Sequence, residues 1–258
     1  MTTLTGPFNS VLVPYDGSEP ARAALAQALA LLQPSARLIV VNVVDESPLI
    51  SEAGATMTAY DPTEMFEALD DEGRALLADA VSRCAAVNVT PITALVHDMP
   101  VPAILATAKT YTCDLIVMGT HARTGVARLF LGSTTEGVLR WSDVPVLTVR
   151  AEDAVQRQPF ATALVGIADS EASDAATALA ARLEPAFQTH VVPVHVDENP
   201  ADGLLAAARD CHATVIMVGS HGRRGLRGFF LGSVTENVVR TSDLPVLVVR
   251  ERAAGAAA

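Results

Sequence analysis

The sequence predicts an α/β protein of two domains, each a parallel sheet with helices on both faces, the second shortened by one βα unit. The first observation is a repeat, because residues 119–150 return as residues 219–250 with 19 identities in 32 aligned pairs. The second is a regular alternation of short apolar runs with longer segments of helical spacing. The third is an unequal offset between the two copies, which indicates a deletion in the second.

The first domain, residues 1–150, is predicted to contain five strands and four helices. Ser18 is suited to cap the first helix, Pro34 ends it, and Pro102 is placed to open the third helix. Continuous runs of valine, leucine and isoleucine are typical of strands that are buried on both faces of a sheet. The predicted strands are 11–13, 38–44, 92–96, 115–118 and 146–149, and the later helices are 64–86, 102–109 and 133–140.

The second domain, residues 160–250, is predicted to be the shorter one. Phe8 and the residues after it match Phe160 onward at an offset of 152, whereas from Val96 and Val196 the offset is 100. The difference, 152 − 100 = 52 residues, is the size of the second strand with its following loop and long helix. We therefore expect four strands here, without the second strand, a linker at 151–159 and a disordered tail at 251–258.

Composition argues against several kinds of partner. The 18 basic and 29 acidic residues give a net charge of −11, which disfavours broad binding to nucleic acid or to anionic membranes. The apolar runs are too short to span a bilayer and the N-terminus lacks a signal-peptide pattern, so a cytoplasmic location is expected. The three cysteines show no CxxC spacing and are expected to be free thiols.

A glycine-containing loop that opens a helix is the main chemical clue in each copy. Gly119 and Gly219 follow a buried strand, where glycine permits a positive φ or the close approach of a ligand. Gly132-Ser133 and Gly232-Ser233 stand at the next helix start, whose unpaired N–H groups and positive dipole end favour an anion. Histidine and arginine are present in both loops without any acidic residue, so both loops are candidate phosphate sites.

Structural explanations of the same residues stay open. Ser133 with Glu136, and Ser233 with Glu236, fit a capping box, which would satisfy the helix start without a ligand. The glycines could serve only to form turns. His121 and His221 have no partner carboxylate at a recognisable spacing, so no catalytic residue is predicted. The chain also lacks G-x4-G-K-S/T, G-x-G-x-x-G after the first strand, and G-x-S-x-G, which disfavours three familiar classes of enzyme.

These loops resemble those of the universal stress protein family, and the likeness covers nearly the whole chain as a tandem, two-domain member. ATP-binding members of that family carry G-x2-G-x9-G-S/T between their fourth strand and fourth helix. The second copy matches this pattern fully, whereas the first has Ala122 at the second glycine. The resemblance implies Rossmann-like, flavodoxin-like domains with parallel sheets, of the adenine nucleotide alpha hydrolase-like type.

The resemblance also implies a site for an adenine nucleotide, ATP or AMP, with Mg²⁺ as a candidate companion of ATP. Asp16 would contact the ribose or a bound metal ion, and the backbone near Val43 would contact the adenine. The glycine loop and helix start would hold the phosphates. The implied residues of the first copy are Pro14, Tyr15, Asp16, Val43, Met118, Gly119, His121, Ala122, Gly132, Ser133 and Thr134, and those of the second are Gly219, His221, Gly222, Gly232 and Ser233.

We expect the nucleotide site mainly in the first domain. In the second copy Ala168 stands where Asp16 stands in the first, so that copy is expected to bind only a phosphate-like anion or nothing. The family resemblance further implies that the last strands of the two domains pair antiparallel as an intramolecular pseudo-dimer, with a homodimer as an open question.

The expected function is a regulatory or protective role in the stress response, together with a protein partner that the sequence does not identify. The alternatives are a slow ATP hydrolase and an interaction module without a ligand.

Overall fold

The computed structural model describes residues 7–45, 62–120, 131–151, 158–195, 199–220 and 231–250. Strands and helices alternate through these residues, which confirms the predicted α/β class. In chain order the elements are β1 (Ser10–Pro14), α1 (Glu19–Leu31), β2 (Arg37–Val44), α2 (Pro62–Ala85), β3 (Ile92–His97), α3 (Pro100–Thr110), β4 (Leu115–Thr120), α4 (Ser133–Trp141), β5 (Val146–Arg150), β6 (Thr162–Ile167), α5 (Glu171–Phe187), β7 (His190–His195), α6 (Pro200–Asp210), β8 (Val215–Gly219), α7 (Ser233–Thr241) and β9 (Val246–Val249).

The described strands form one sheet in the order β3-β2-β1-β4-β5-β9-β8-β6-β7. Neighbouring strands are parallel within each half of the chain. The two halves join where β5 and β9 pair antiparallel, with Leu147 opposite Leu247. The predicted pairing of the last strands within one chain is therefore confirmed, and it covers two edges that would otherwise expose unpaired backbone groups.

Helices cover both faces of this sheet because residues along each strand alternate between two apolar cores. Val11 and Val13 contribute to the core beneath α1, α2 and α5. Leu12, between them, contributes to the core beneath α3, α4, α6 and α7. This period of two is the geometry of an extended strand, and it explains why the strands read as continuous apolar runs.

The second half keeps four strands, as predicted, but the place of its second strand is filled. β7 pairs in parallel with β6, with Thr162 opposite His190, just as β2 pairs with β1. The second half is shorter by one helix and one strand, as predicted, but the expectation that the second strand is the deleted one is wrong. At the sequence offset of 152, β7 aligns with residues 38–43 of β2, so it is the second strand of its half. The unit without a counterpart in the second half is therefore α2 with β3, and β7 pairs with backbone groups that an open β6 edge would leave unpaired.

The start of α3 differs from the sequence-based expectation. The helix begins at Pro100 rather than Pro102, and its N-cap, Met99, makes no side-chain capping bond. Proline suits the first helical position because its missing N–H would have no intrahelical partner there. The other predicted bounds within the described residues lie within two residues of the observed ones. The domain limits at 1–150, 151–159 and 160–250 stay predictions, and the tail 251–258 lies outside the described residues.

Two predictions from composition concern cysteines and membrane spans. Cys84, Cys113 and Cys211 are free thiols, as expected. Burial raises the pKa of the Cys84 and Cys113 thiols, which disfavours the reactive thiolate. No helix among the described residues combines the length and the apolar character that crossing a bilayer requires.

Thr112 offers a test of local strain. It follows the C-cap of α3 with φ 48°, a left-handed conformation that β-branched residues disfavour. Its exposed hydroxyl donates to the Tyr111 carbonyl at 2.8 Å. We expect Thr112→Gly to raise the free energy of unfolding by about 0.5–1 kcal/mol, as measured by chemical denaturation. His212, with φ 51° after α6, is the control, and His212→Gly should gain less because histidine tolerates this region better. A loss of stability in Thr112→Gly would contradict the argument.

Candidate functional site

A cleft of about 170 Å³ lies at the carboxyl ends of β1, β2 and β4, and we call it the first-half cleft. It lies where the strand order reverses between β1 and β4, the usual ligand position in an open α/β sheet. At roughly 15 Å³ for each water position, it has room for about ten waters. Its lining residues are Pro14, Tyr15, Asp16, Ser18, Pro20, Ala21, Val41, Asn42, Val43, Pro100, Ile104, Met118, Gly119, Thr134 and Thr135.

The structure brings together most of the residues that the sequence assigned to the first copy. Those that line the cleft are Pro14, Tyr15, Asp16, Val43, Met118, Gly119 and Thr134. Gly132 and Ser133 directly precede Thr134 at the start of α4. His121 and Ala122, and in the second copy His221 and Gly222, lie outside the described residues.

The turn after β1 holds Asp16 at the rim of the cleft. The Asp16 Oδ1 accepts a hydrogen bond from the Ser18 N–H at 3.0 Å. Ser18 in turn caps α1, because its Oγ accepts from the Ala21 N–H at 3.3 Å. Gly17 between them has φ +73°, which glycine adopts without strain. The sequence Asp-Gly-Ser therefore sets both the direction of the carboxylate and the start of the helix.

The Tyr15 side chain reaches from this turn to α2 and is buried. Its hydroxyl donates a hydrogen bond to Asp79, which also accepts from the Arg83 Nε at 2.9 Å. Burial, and next the bond to Asp79, raises the pKa of Tyr15. The bond from Arg83, and next that from Tyr15, lowers the pKa of Asp79. Tyr15 is thus neutral near neutral pH and anchors the cleft to α2.

Asn42 is a lining residue that the sequence analysis missed. It is 6% exposed, and its Nδ2 donates to the Tyr15 carbonyl oxygen at 2.8 Å. The side chain therefore ties the end of β2 to the end of β1. The sequence does contain a signal for this role, because Asn42 is the one polar residue inside the apolar run 38–44 and a buried amide needs a hydrogen-bond partner.

The start of α4 carries no side-chain cap. Gly132 is the N-cap and Ser133 the first helical residue, so the capping-box prediction is wrong. Glu136 instead accepts a hydrogen bond from Arg140 at 2.5 Å, an i,i+4 pair that holds it away from the helix start. The start of α7 has the same arrangement. Gly232 is its N-cap, Ser233 is its first helical residue, and Glu236 forms an ion pair with Arg240 at 2.5 Å.

Gly119 is required for packing against α1. It lies within β4, and its φ is not positive, contrary to one sequence-based explanation. A Cβ on Gly119 would lie 2.4 Å from the carbonyl carbon of Pro20. Gly219 is in the same situation, since its Cβ would lie 2.7 Å from the carbonyl carbon of Ala172. Both glycines let a helix start approach the strand, which brings the elements of the site together.

The equivalent turn of the second half is closed by its own side chain. Ser173, the counterpart of Ala21, accepts a hydrogen bond from the Ala168 N–H at 2.9 Å. Its hydroxyl also donates to the Gly166 carbonyl at 3.4 Å. Leu204 packs over the same strand end, with methyl carbons 3.2 Å from where a Gly166 Cβ would be. The second half therefore lacks the turn geometry that holds Asp16 in the first.

Comparison with known proteins identifies related sequence in both halves of the chain. The sequence model of the universal stress protein family matches residues 7–150 and 196–250. The chain belongs to the universal stress protein family. Universal stress protein Rv2005c of Mycobacterium tuberculosis is 27% identical over 234 residues, covering 70% of this chain and 78% of that relative. Universal stress protein MJ0531 of Methanocaldococcus jannaschii is 30% identical over 145 residues, covering 55% and 82% respectively.

A solved structure also shares the arrangement of the whole chain. The universal stress protein from Archaeoglobus fulgidus superposes with a TM-score of 0.77 and 22% identity, covering 95% of this chain and 97% of that one. The likeness extends across both halves and confirms the fold of this family member.

Proposed function

We propose that this universal stress protein binds an adenine nucleotide, ATP or AMP, in the first-half cleft and acts as a regulatory or protective protein in the stress response. One observation carries the proposal. Three segments far apart in sequence, the Asp16 turn, the end of β2 at Val43 and the start of α4 at Thr134, line one cleft. A carboxylate, an apolar wall and an uncapped helix start suit the ribose, base and phosphates of a nucleotide.

The two ends of the cleft suit different parts of the ligand. Val41, Val43, Ile104 and Met118 provide apolar surface for a flat base. The α4 start provides backbone N–H groups and the positive end of the helix dipole for phosphate oxygens. Thr135 fixes that helix start, because its hydroxyl donates to the Gly119 carbonyl at 2.9 Å.

Asp16 suits a magnesium ion that arrives with ATP. It is the one carboxylate among the lining residues described. In the described part of the chain, no group of three or more histidine, cysteine, aspartate or glutamate side chains is placed to hold a metal by itself. Magnesium is commonly held by one or two carboxylates together with phosphates and water. Asp16 would therefore hold the ion, which would neutralise phosphate charge.

The second half is proposed to bind no nucleotide. The Ser173 hydroxyl accepts a hydrogen bond from the Ala168 N–H and donates one to the Gly166 carbonyl, so both backbone groups at the end of β6 already have a partner. Leu204 covers the end of that strand. Gly232, at the start of α7, donates its N–H to the Ser220 carbonyl at 2.8 Å. These contacts leave Gly219, Gly232 and Ser233 as parts of the scaffold in this proposal.

The proposal is tested by adding ATP, ADP and AMP separately to the purified protein. At a free concentration of 100 times Kd, binding should stabilise the fold by about 2.7 kcal/mol, which raises the melting temperature by roughly 5–11 °C. Tripolyphosphate is the control for simple anion binding, and GTP is the control for base preference. Phosphate release in the same samples would identify the hydrolase alternative. No shift with any of the three adenine nucleotides, and no heat of binding, would favour the interaction module.

A further inference from the structure

Two arginines reach across the junction between the halves in a reciprocal arrangement. Arg150 ends β5, and Arg250, one hundred positions later, directly follows β9. The Arg150 Nη2 donates to the Arg240 carbonyl in the last turn of α7. The Arg250 Nη1 donates to the Arg140 carbonyl in the last turn of α4. Each half therefore supplies a cation to the end of a helix in the other half.

These carbonyls need partners from outside their own helices. The last four carbonyls of a helix have no intrahelical donor, and here the C-cap Ser142 N–H bonds to the Val138 carbonyl. Arg250 donates to the Arg140 carbonyl, two residues further along the same turn. A cation at this position also complements the negative end of the helix dipole. The Arg250 contact is therefore both a hydrogen bond and an electrostatic one.

The helix that Arg250 contacts is the helix whose start borders the first-half cleft. α4 has nine residues, so its two ends are about 13 Å apart. It is held firmly between them, because Val138 and Leu139 are buried in the core and Thr135 bonds to Gly119. A displacement of one end is therefore transmitted to the other end.

We propose that Arg250 of the second half is a positioning residue for the nucleotide site of the first half. It holds the C-terminal end of α4 and thereby sets the position of the helix start that receives phosphate. The inference rests on the proposed function, and it gives a role to a second half whose own turn is closed. By linkage, nucleotide binding must strengthen the Arg250 contact as much as that contact strengthens binding.

The test compares Arg250→Met with Arg182→Met in the full chain. Arg182 is the matched control because its Nη2 donates to the Pro7 carbonyl at 3.0 Å, a contact between the halves that touches neither α4 nor the cleft. By calorimetric titration, Arg250→Met should bind ATP about threefold to tenfold more weakly than the natural chain. Arg182→Met should bind with unchanged affinity. Arg250→Lys, which keeps the charge, should restore most of the affinity, and Arg250→Gln replaces Arg250→Met if the latter does not fold.

Trp141 provides a readout that loss of stability alone would not change. It is the only tryptophan of the chain and follows Arg140 at the end of α4, with 46% of its surface exposed. Adding ATP should change its fluorescence in the natural chain and in Arg182→Met. The same change should be much reduced in Arg250→Met at saturating ATP.

Three outcomes would overturn the inference. Equal ATP affinity in the natural chain and in Arg250→Met would remove the role of Arg250 while leaving the proposed function intact. An equal loss of affinity in Arg182→Met would show that general weakening of the junction is responsible. Absence of ATP binding by the natural chain would overturn the proposed function and this inference together.

Discussion

Replacing Gly132 by valine is expected to abolish nucleotide binding while the protein stays folded. Gly132 has φ −60° and ψ 141°, an extended conformation that valine also adopts, so the backbone does not require glycine there. A branched side chain at the N-cap would keep phosphate oxygens away from the first N–H groups of α4. Losing two charge-assisted hydrogen bonds of about 1.5–3 kcal/mol each corresponds to at least roughly a hundredfold loss of affinity for ATP.

The matched control for this experiment is Gly232→Val. Gly232 has φ −57° and ψ 142° at the N-cap of α7, so the chemical change and the local backbone are the same. Both variants should lose a similar, small amount of stability, since valine is a poor N-cap. Only Gly132→Val should lose binding when ATP is titrated into each protein by calorimetry. Normal affinity in Gly132→Val would remove the start of α4 from the site.

Replacing Gly119 by alanine is expected to cause the largest loss of stability. The added Cβ would lie 2.4 Å from the Pro20 carbonyl carbon and 2.5 Å from its oxygen, and a backbone atom cannot turn aside as a flexible side chain can. Either β4 or the start of α1 must shift. We expect a loss of about 3 kcal/mol, at the upper end for overpacking, and a melting temperature lower by roughly 6–12 °C.

Gly219→Ala separates the effect on the fold from the effect on the site. Its Cβ would lie 2.7 Å from the Ala172 carbonyl carbon, so a similar loss of stability is expected in thermal unfolding. Gly119→Ala should also weaken ATP binding, because Gly119 and Pro20 both line the first-half cleft. Gly219→Ala should not. A Gly119→Ala protein as stable as the natural chain would show that the close approach to α1 is not needed.

Sequence patterns located the elements of the fold because their signals are local. The apolar run at 38–44 and the capping Ser18 depend on neighbouring residues only, and both appear in the structure as predicted. The start of α4 was located correctly, but the predicted capping box was wrong, because Glu136 has two competing partners. Its carboxylate can reach either the backbone N–H groups of the helix start or the Arg140 side chain, and the sequence alone does not show which interaction is more favourable. The structure places Glu136 on Arg140.

The candidate site was predicted in part, mainly through the resemblance to the universal stress protein family. That resemblance implied Asp16, Val43, Met118 and Gly119, which do line one cleft. Pro100 and Ile104 also line it, yet they belong to α3 and to no motif. Their contribution follows from how α3 packs across the sheet. Likewise, a deletion in the second copy is visible in the sequence, but the pairing of β7 with β6, which shows that the second strand is kept, is seen only in the structure.

The sequence by itself determined the α/β class and the strand and helix order, because spacing and residue type act within a few residues, and it showed the duplication through the return of residues 119–150 at 219–250. Tertiary structure alone decided that Gly119 serves packing against Pro20, that Ser173 closes the second turn, and that Arg250 contacts α4. Each of these depends on the distance between groups far apart in the chain. Those distances are fixed only when the two halves fold onto one sheet.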